Sequence, residues 1–211
     1  MIAVDGPAAS GKGTVAGRLA ELYRLPYLDT GLLYRAVGVA ADAAGGGEAA
    51  AIAAARALQA EALEDPRLRT RHAGELASQI AVLPEVRTTL FDFQQRFART
   101  PGGSVLDGRD IGTVIAPWAP AKLFVTAAPE VRAERRWKQL SGQGETVDYA
   151  DVLADILRRD ERDSGRASAP LVQAADAVLL DTSNLSISEA VDAARRVVEA
   201  ARGRWETSRP G

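Results

Sequence analysis

The sequence predicts an α/β fold in which helices flank a parallel sheet. Two observations carry that expectation. Short apolar runs alternate with longer segments of helical periodicity, the pattern of strands joined by helical crossovers. The first run also opens into a glycine-rich loop that leads straight into a helix. Residues 2–5 read as a short buried strand ending at Gly6. Residues 14–23 follow as a helix with Val15, Leu19 and Leu22 on one face. A second strand is expected at 26–28, and a helix over 31–44 that stops at Gly45-Gly46-Gly47. Strands are expected again at 104–106, ending at Asp107-Gly108, and at 122–126. Pro129-Glu130 then opens a helix, since proline suits a first turn. The last strand is placed at 177–180. Ser186-Ile187-Ser188-Glu189 forms a capping box for a final helix with Ile187, Val191, Ala194, Val198 and Ala201 on one face. The tail, 207–211, is expected to fray.

Two segments interrupt the alternation. Residues 48–98 are helical in character and alanine-rich at their start. They are expected to be wholly helical, as a substrate domain or a helical hairpin. Residues 141–146 are rich in Gly, Ser and Gln and read as a mobile loop between two arginine-bearing helices, with Trp137 at its base.

Composition narrows the function. The chain has 211 residues and is 46% apolar, enough for one compact unit with a full core. A net charge of -2 provides no basic field of the kind nucleic-acid partners require. No apolar run approaches the ~20 residues of a membrane span, and no secretory signal is visible at the N-terminus. The absence of cysteine excludes disulfides, thiolate metal sites and cysteine nucleophiles. The single histidine, His72, has no G-x-S-x-G elbow to accompany it and reads as an exposed helix residue. A cytoplasmic enzyme is the expectation.

The loop Gly6-Pro7-Ala8-Ala9-Ser10-Gly11-Lys12-Gly13-Thr14 has the form G-x-x-x-x-G-K followed by Gly-Thr. Glycines in such a loop let backbone N–H groups turn around phosphate oxygens, and the helix start adds positive potential. Lys12 can reach the outer phosphates, and the Thr14 hydroxyl can lie near Mg²⁺. The motif alone leaves a kinase, a GTPase and a regulator open. Asp107, Arg109 and Asp110 cluster beyond a strand's carboxyl end, where open α/β sheets bind ligands. Arg159, Arg162, Asp163 and Arg166 recur at i, i+3, i+4 and i+7 and share one helical face. Following the loop and Arg135-Arg136, they read as a lid over a triphosphate. Phosphoryl transfer needs positioning and charge neutralisation above all, which Lys12, Arg135, Arg159 and Arg162 with Mg²⁺ can supply.

The Gly-Lys-Gly-Thr ending resembles nucleoside monophosphate kinases. Longer blocks are more specific: Val4–Thr14, Tyr27-Leu28-Asp29-Thr30-Gly31-Leu32-Leu33-Tyr34-Arg35, Leu106-Asp107-Gly108-Arg109-Asp110-Ile111-Gly112-Thr113-Val114 and Arg159–Arg166 with Ala169-Pro170-Leu171 all resemble the bacterial cytidylate kinase family. The resemblance covers nearly the whole chain. It implies a P-loop kinase fold with a five-stranded parallel sheet, in one unit spanning 1–211. The core would be 1–47, 99–140 and 167–211, with a monophosphate-binding insertion at about 48–98 and a lid at about 141–166. It further implies CMP or dCMP as acceptor, ATP with Mg²⁺ as donor, and a monomer. The cytidine site would comprise Thr30, Tyr34, Arg35, Ser78, Arg87, Asp107, Arg109, Asp110, Arg159, Asp163 and Arg166. Of these, Asp110, Arg87 and Ser78 would read the base, Arg35 and Arg109 would hold the acceptor phosphate, and Arg159 and Asp163 would meet the ribose. One departure is that 48–70 is short and alanine-rich where bacterial members commonly carry a longer, strand-bearing insertion. Two rival readings are a P-loop kinase for another small acceptor and a nucleotide-binding regulator without turnover.

Overall fold

The strands are short and apolar because most are covered on both faces. In the computed structural model, which describes residues 1–207 without the side chains of Trp205 and Glu206, all four positions of β1 (Ile2–Asp5) are buried. It pairs in parallel with β3 (Val105–Gly108) on one side and β4 (Ala121–Thr126) on the other. The strands β2 (Tyr27–Asp29) and β5 (Val178–Asp181) complete a five-stranded parallel sheet in the order β2-β3-β1-β4-β5. Asp5 sits opposite Gly108 and Phe124. The carboxyl ends of the three central strands therefore meet at one edge, where the glycine-rich loop leaves β1.

Alternation along the strands divides the core in two. Ile2 and Val4 pack with Val105, Leu123 and Val125 beneath α1 (Lys12–Tyr23) and the C-terminal helix Ile187–Thr207. Ala3 and Leu106 face the other way, onto Leu33 and Val37 of α2 (Thr30–Ala43) and Val86 and Leu90 of the helix Pro84–Ala98. Three expected face residues, Leu22, Ile187 and Val191, fall outside these cores. Leu22 is exposed, because the buried stripe of α1 is centred on Val15, Ala16, Leu19 and Ala20, whose small alanines let the helix lie against the sheet. Ile187 is also exposed and Val191 only half-buried, since the last helix buries Ala190, Ala194, Val198 and Ala201. Its capping box forms as expected: Ser186 N–H donates to Glu189 at 2.8 Å, and Glu189 N–H to the Ser186 hydroxyl at 3.3 Å. Of the tail expected to fray, the residues after Thr207 lie outside the described residues.

Residues 48–98 carry no strand. They hold α3 (Gly47–Arg56), two single 3-10 turns at Ala60–Glu64 and Pro66–Arg69, α4 (Arg71–Ile80) and α5 (Pro84–Ala98). The Thr70 hydroxyl caps α4 by accepting from Ala73 N–H. Further on, α6 (Pro129–Gly142) continues through Ser141 and Gly142, so the expected loop is displaced to 143–148. The helix α7 (Tyr149–Ser164) follows, capped by Asp148; the last helix, Ile187–Thr207, is α8. A third small core of Ala8, Ala133, Leu140, Val152 and Ile156 seats α6 and α7 on the glycine-rich loop. The Trp137 indole N–H donates to the Val147 carbonyl at 3.1 Å and ties α6 to the loop that leads into α7.

Candidate active site

The loop between β1 and α1 takes a shape that few residues could adopt. A Cβ at Gly6 would lie 2.0 Å from the Val125 carbonyl oxygen, so no side chain fits there. Ala9 (φ 58°) and Gly11 (φ 88°) are left-handed, a conformation that costs an L-residue such as alanine roughly 1–2 kcal/mol. Gly11 precedes α1 without any side-chain cap, and the first turn of α1 has no acidic residue. Its N–H groups are thus free for an anion. Two arginines of α6 brace the loop. Arg132 donates to Ala8 O (3.3 Å) and to Asp160 (3.0 Å), so a carboxylate balances its charge. Arg135 ends on neutral oxygens: Ser10 O at 3.4 Å, the Thr182 hydroxyl at 2.9 Å and Thr182 O at 2.7 Å. A cavity of about 450 Å³ beside it is bounded by Gly11, Thr14, Arg135, Thr182, Leu185 and Ile187. Thr14 is exposed toward this side.

A second cavity, about 310 Å³, opens over the tip of Lys12. Its wall holds seven cations (Lys12, Arg35, Arg69, Arg71, Arg109, Arg136, Arg159) against the carboxylates of Asp29, Glu75, Asp107 and Asp155. Lys12 Nζ lies 3.7 Å from Asp107. Burial pushes the Lys12 ammonium down and the Asp107 carboxyl up; neighbouring Arg109 adds to the first shift and Asp29 to the second. Arg159 is lowered to about 9 by burial and then by repulsion from Arg109, Arg35 and Arg136. Its Nε is buried without a partner. Arginines crowded so closely that they repel one another leave a deficit of negative charge, which a polyanion can fill.

The third cavity, about 40 Å³, continues inward from the second. It gathers Thr30, Tyr34, Arg35, Ser78, Arg87, Arg109, Asp110, Arg159, Asp163 and Arg166. Asp110 accepts from Arg87, which lies 5.9 Å from the centre of the Tyr34 ring. Burial raises the Asp110 carboxyl, while Arg87 and Arg166 oppose the rise. Ser78 is 2% exposed, and its hydroxyl has no partner. Asp163 accepts from Arg109 (2.8 Å) and from Arg166. A small, polar, largely buried slot with an unused hydroxyl is suited to a flat heteroaromatic ring that hydrogen-bonds at its edge.

The expected residues from segments up to 136 positions apart therefore converge, with two displacements. Asp107 borders the larger cavity, where it takes the Tyr27 hydroxyl (2.9 Å) beside Lys12, and it does not line the inner slot. Arg162 lines neither cavity; its guanidinium makes paired bonds of 2.6 and 2.7 Å to Glu75 on α4. Arg166 falls beyond the end of α7 and reaches Asp163 from the following turn. Thr30 spends its hydroxyl on Asp107 O at 2.8 Å. His72 is an exposed residue of α4 near Asp42, as its isolation in the sequence suggested. Sequence reasoning gave no role to Asp29, Arg71, Gly74 and Glu75, all on the cavity wall, and named Arg136 there only as flanking the lid. Gly74 carried a signal, as a glycine inside a helix costs about 1 kcal/mol against alanine. Its missing Cβ would lie 3.4 Å from Arg159 Nη1.

Residues 2–200 match the family model described as Cytidylate kinase. The chain is 66% identical over 208 residues to a protein named cytidylate kinase from Caulobacter sp. (strain K31), covering 97% of this chain and 96% of that one. Proteins of the same name from Xanthobacter autotrophicus and Methylocella silvestris are 63% and 54% identical, with 96% and 100% of this chain covered and 98% and 99% of theirs. Among solved structures, an uncharacterized protein from Eubacterium ventriosum ATCC 27560 is similar in fold, with a TM-score of 0.53 at 14% identity over 96% of this chain and 97% of that one.

Proposed function

The chain belongs to the cytidylate kinase family, and we propose that it transfers the γ-phosphoryl group of ATP to CMP or dCMP, giving ADP and CDP or dCDP. The inner slot carries this reading: a buried aspartate–arginine pair beside a buried, unpartnered serine hydroxyl. Cytosine presents an amino donor beside a ring-nitrogen acceptor, which a carboxylate and a guanidinium complement. Uracil reverses both. Asp110 and Arg87 read the base with Ser78, while Tyr34 and Thr30 shape the slot. Arg35 and Arg109 hold the acceptor phosphate, and Asp163, Arg166 and Arg159 face the ribose.

The donor lies along the loop from Gly6 through Pro7, Ala8, Ala9, Ser10, Gly11, Lys12 and Gly13 to Thr14, with its base in the cavity near Ile187. An oxygen of the acceptor phosphate attacks the γ-phosphorus, and the bond to the β–γ bridging oxygen breaks. Lys12, Arg135 and Arg159 neutralise the charge spread over the transferring group, at fixed positions that need no rearrangement. Arg162 contributes by holding α7 against α4 through Glu75. The hydroxyl of Thr14 and the crowded carboxylates of Asp29 and Asp107 are hard oxygen donors that suit Mg²⁺. Among the described residues no group of three or more His, Cys, Asp or Glu is placed to hold a metal ion by itself, so Mg²⁺ would be held with the help of phosphate oxygens, with Thr14 near it. When bound, it adds Lewis-acid charge neutralisation. This reading gives a monomeric, cytoplasmic enzyme of pyrimidine nucleotide metabolism with no nucleic-acid partner; no helix among the described residues is long and apolar enough to cross a membrane.

Asp110→Ala tests the assignment. It should lower kcat/KM for CMP far more than for UMP and collapse the ratio between them, because an unpaired buried polar group can cost up to ~10⁴–10⁵ in discrimination. An equal fall for both acceptors would mean that Asp110 supports the slot's shape and does not read the base.

A further inference from the structure

Asp5, the last residue of β1, is 5% exposed and lines none of the three cavities. Its carboxylate is nevertheless fully engaged. Oδ1 accepts from Ile111 N–H at 2.8 Å, and Oδ2 from Gly112 N–H at 2.7 Å. Both donors belong to the wide turn Ile111–Ile115, which begins immediately after Asp110. The peptide joining Asp110 to Ile111 is thereby held at both ends. Its N–H is bound by Asp5, and its carbonyl accepts from Val114 N–H (2.8 Å) and Ile115 N–H (3.1 Å). That peptide plane sets ψ of Asp110, which stands at 23° with φ at -141°, neither helix nor strand. A Cβ on Gly112 would lie 3.3 Å from Asp5 Oδ2 and 3.2 Å from Lys122 Cδ, so the turn approaches the carboxylate as closely as glycine permits.

We propose that Asp5 is a positioning residue for acceptor selectivity: by fixing the Asp110–Ile111 peptide, it aims the Asp110 carboxylate into the inner slot. The inference rests on the reading of that slot as the cytosine site. Burial raises the Asp5 carboxyl to about 7 while the Gly112 and Ile111 N–H bonds oppose the rise; in its ionised form, a carboxylate accepting two N–H bonds is among the stronger fixtures a buried backbone can have. An amide at the same position would accept one bond and present its own donor to the other N–H. Asp5 also precedes Gly6 directly, so one side chain spans the phosphate loop and the base-reading loop.

The test compares wild type with Asp5→Asn in steady-state ADP release, using CMP and UMP as acceptors and varying CMP and ATP in turn. Wild type should prefer CMP. In the variant, KM for CMP should rise about tenfold and the CMP:UMP ratio should fall by a similar factor, with KM for ATP within twofold; small misplacements in a site can cost up to ~10²-fold. Gly112→Ala, which crowds the same bonds from the turn side and keeps the carboxylate, should reproduce the pattern and decides the matter if Asp5→Asn does not fold. An unchanged CMP:UMP ratio in a folded variant would overturn the inference, as would equal shifts in the two KM values, the mark of a general structural role. A wild type that shows no preference for CMP would instead overturn the cytosine reading beneath it.

Discussion

At the scale of single residues, the site separates groups already balanced from groups that lack a counter-charge or a hydrogen-bond partner. Arg132 is balanced by Asp160, and Arg162 by Glu75. Arg135 donates only to neutral oxygens, and the Ser78 hydroxyl bonds to nothing. We place the substrates against the second set, because an arginine without a counter-charge or a buried hydroxyl without a partner is costly until something pairs with it. Ser78→Ala should therefore raise KM for CMP by about 3–10-fold, the worth of one hydrogen bond of ~1 kcal/mol, while leaving the Tm unchanged or slightly higher. A fall in Tm with KM unmoved would show that the hydroxyl serves the fold. Lys12→Met removes the one positive charge carried by the loop itself. Turnover should drop by about 10²-fold or more, with far-UV circular dichroism unchanged because Lys12 packs in none of the three apolar cores. Near-wild-type turnover in a folded variant would remove Lys12 from the mechanism.

At the scale of elements, α4 and α7 are drawn together by charge. Arg162 bonds Glu75 in pairs and Arg71 meets Asp155, while Arg136 of α6 donates to the neutral Thr70 O at 3.3 Å just ahead of α4. Arg71, Glu75, Arg136 and Asp155 border the basic cavity, and drawing α4 and α7 closer over it would keep water from a bound triphosphate. Glu75→Gln weakens the α4–α7 pairing. Acceptor-independent ATP hydrolysis should then rise severalfold relative to the kinase rate, while in wild type it stays far below that rate. A wild-type hydrolysis rate comparable to transfer would contradict the gating role. The elements also show what the sequence could reveal. Strand alternation and the capping box at Ser186 are local, so they were legible. The face of α1 was misjudged at Leu22 because Ala16 and Ala20 moved the buried stripe, and helical periodicity weights small residues lightly. Arg162 shares its spacing with Arg159 and Arg166, and only the position of Glu75, 87 residues away, shows that it is already taken.

At the scale of the whole molecule, the parallel sheet brings the carboxyl ends of β1 and β3 together, and three distant segments meet there: the glycine-rich loop, the Asp107–Asp110 turn and the end of α7. Most of the inner slot's lining was legible because its residues sit in compact motifs at these places. Asp5, Asp29 and Gly74 were not legible as a functional group, because their roles come from contacts between segments that no local pattern encodes. The short helical insertion, without a strand between α2 and β3, still supplies Ser78 and Arg87 to the slot. Its alanine-rich part, α3, packs behind them through Ala51 and Ala55. With Ser78 and Arg87 both placed in the slot, discrimination among acceptors should be sharp. The measurement that bears on this most directly is coupled ADP release by the purified protein with ATP and Mg²⁺, across CMP, dCMP, UMP, AMP, GMP, dTMP and shikimate. CMP and dCMP should be phosphorylated well ahead of UMP, with the purine monophosphates too large for the slot and shikimate inert. Turnover led by any other acceptor, or tight ATP binding with no acceptor-dependent ADP release, would contradict the account.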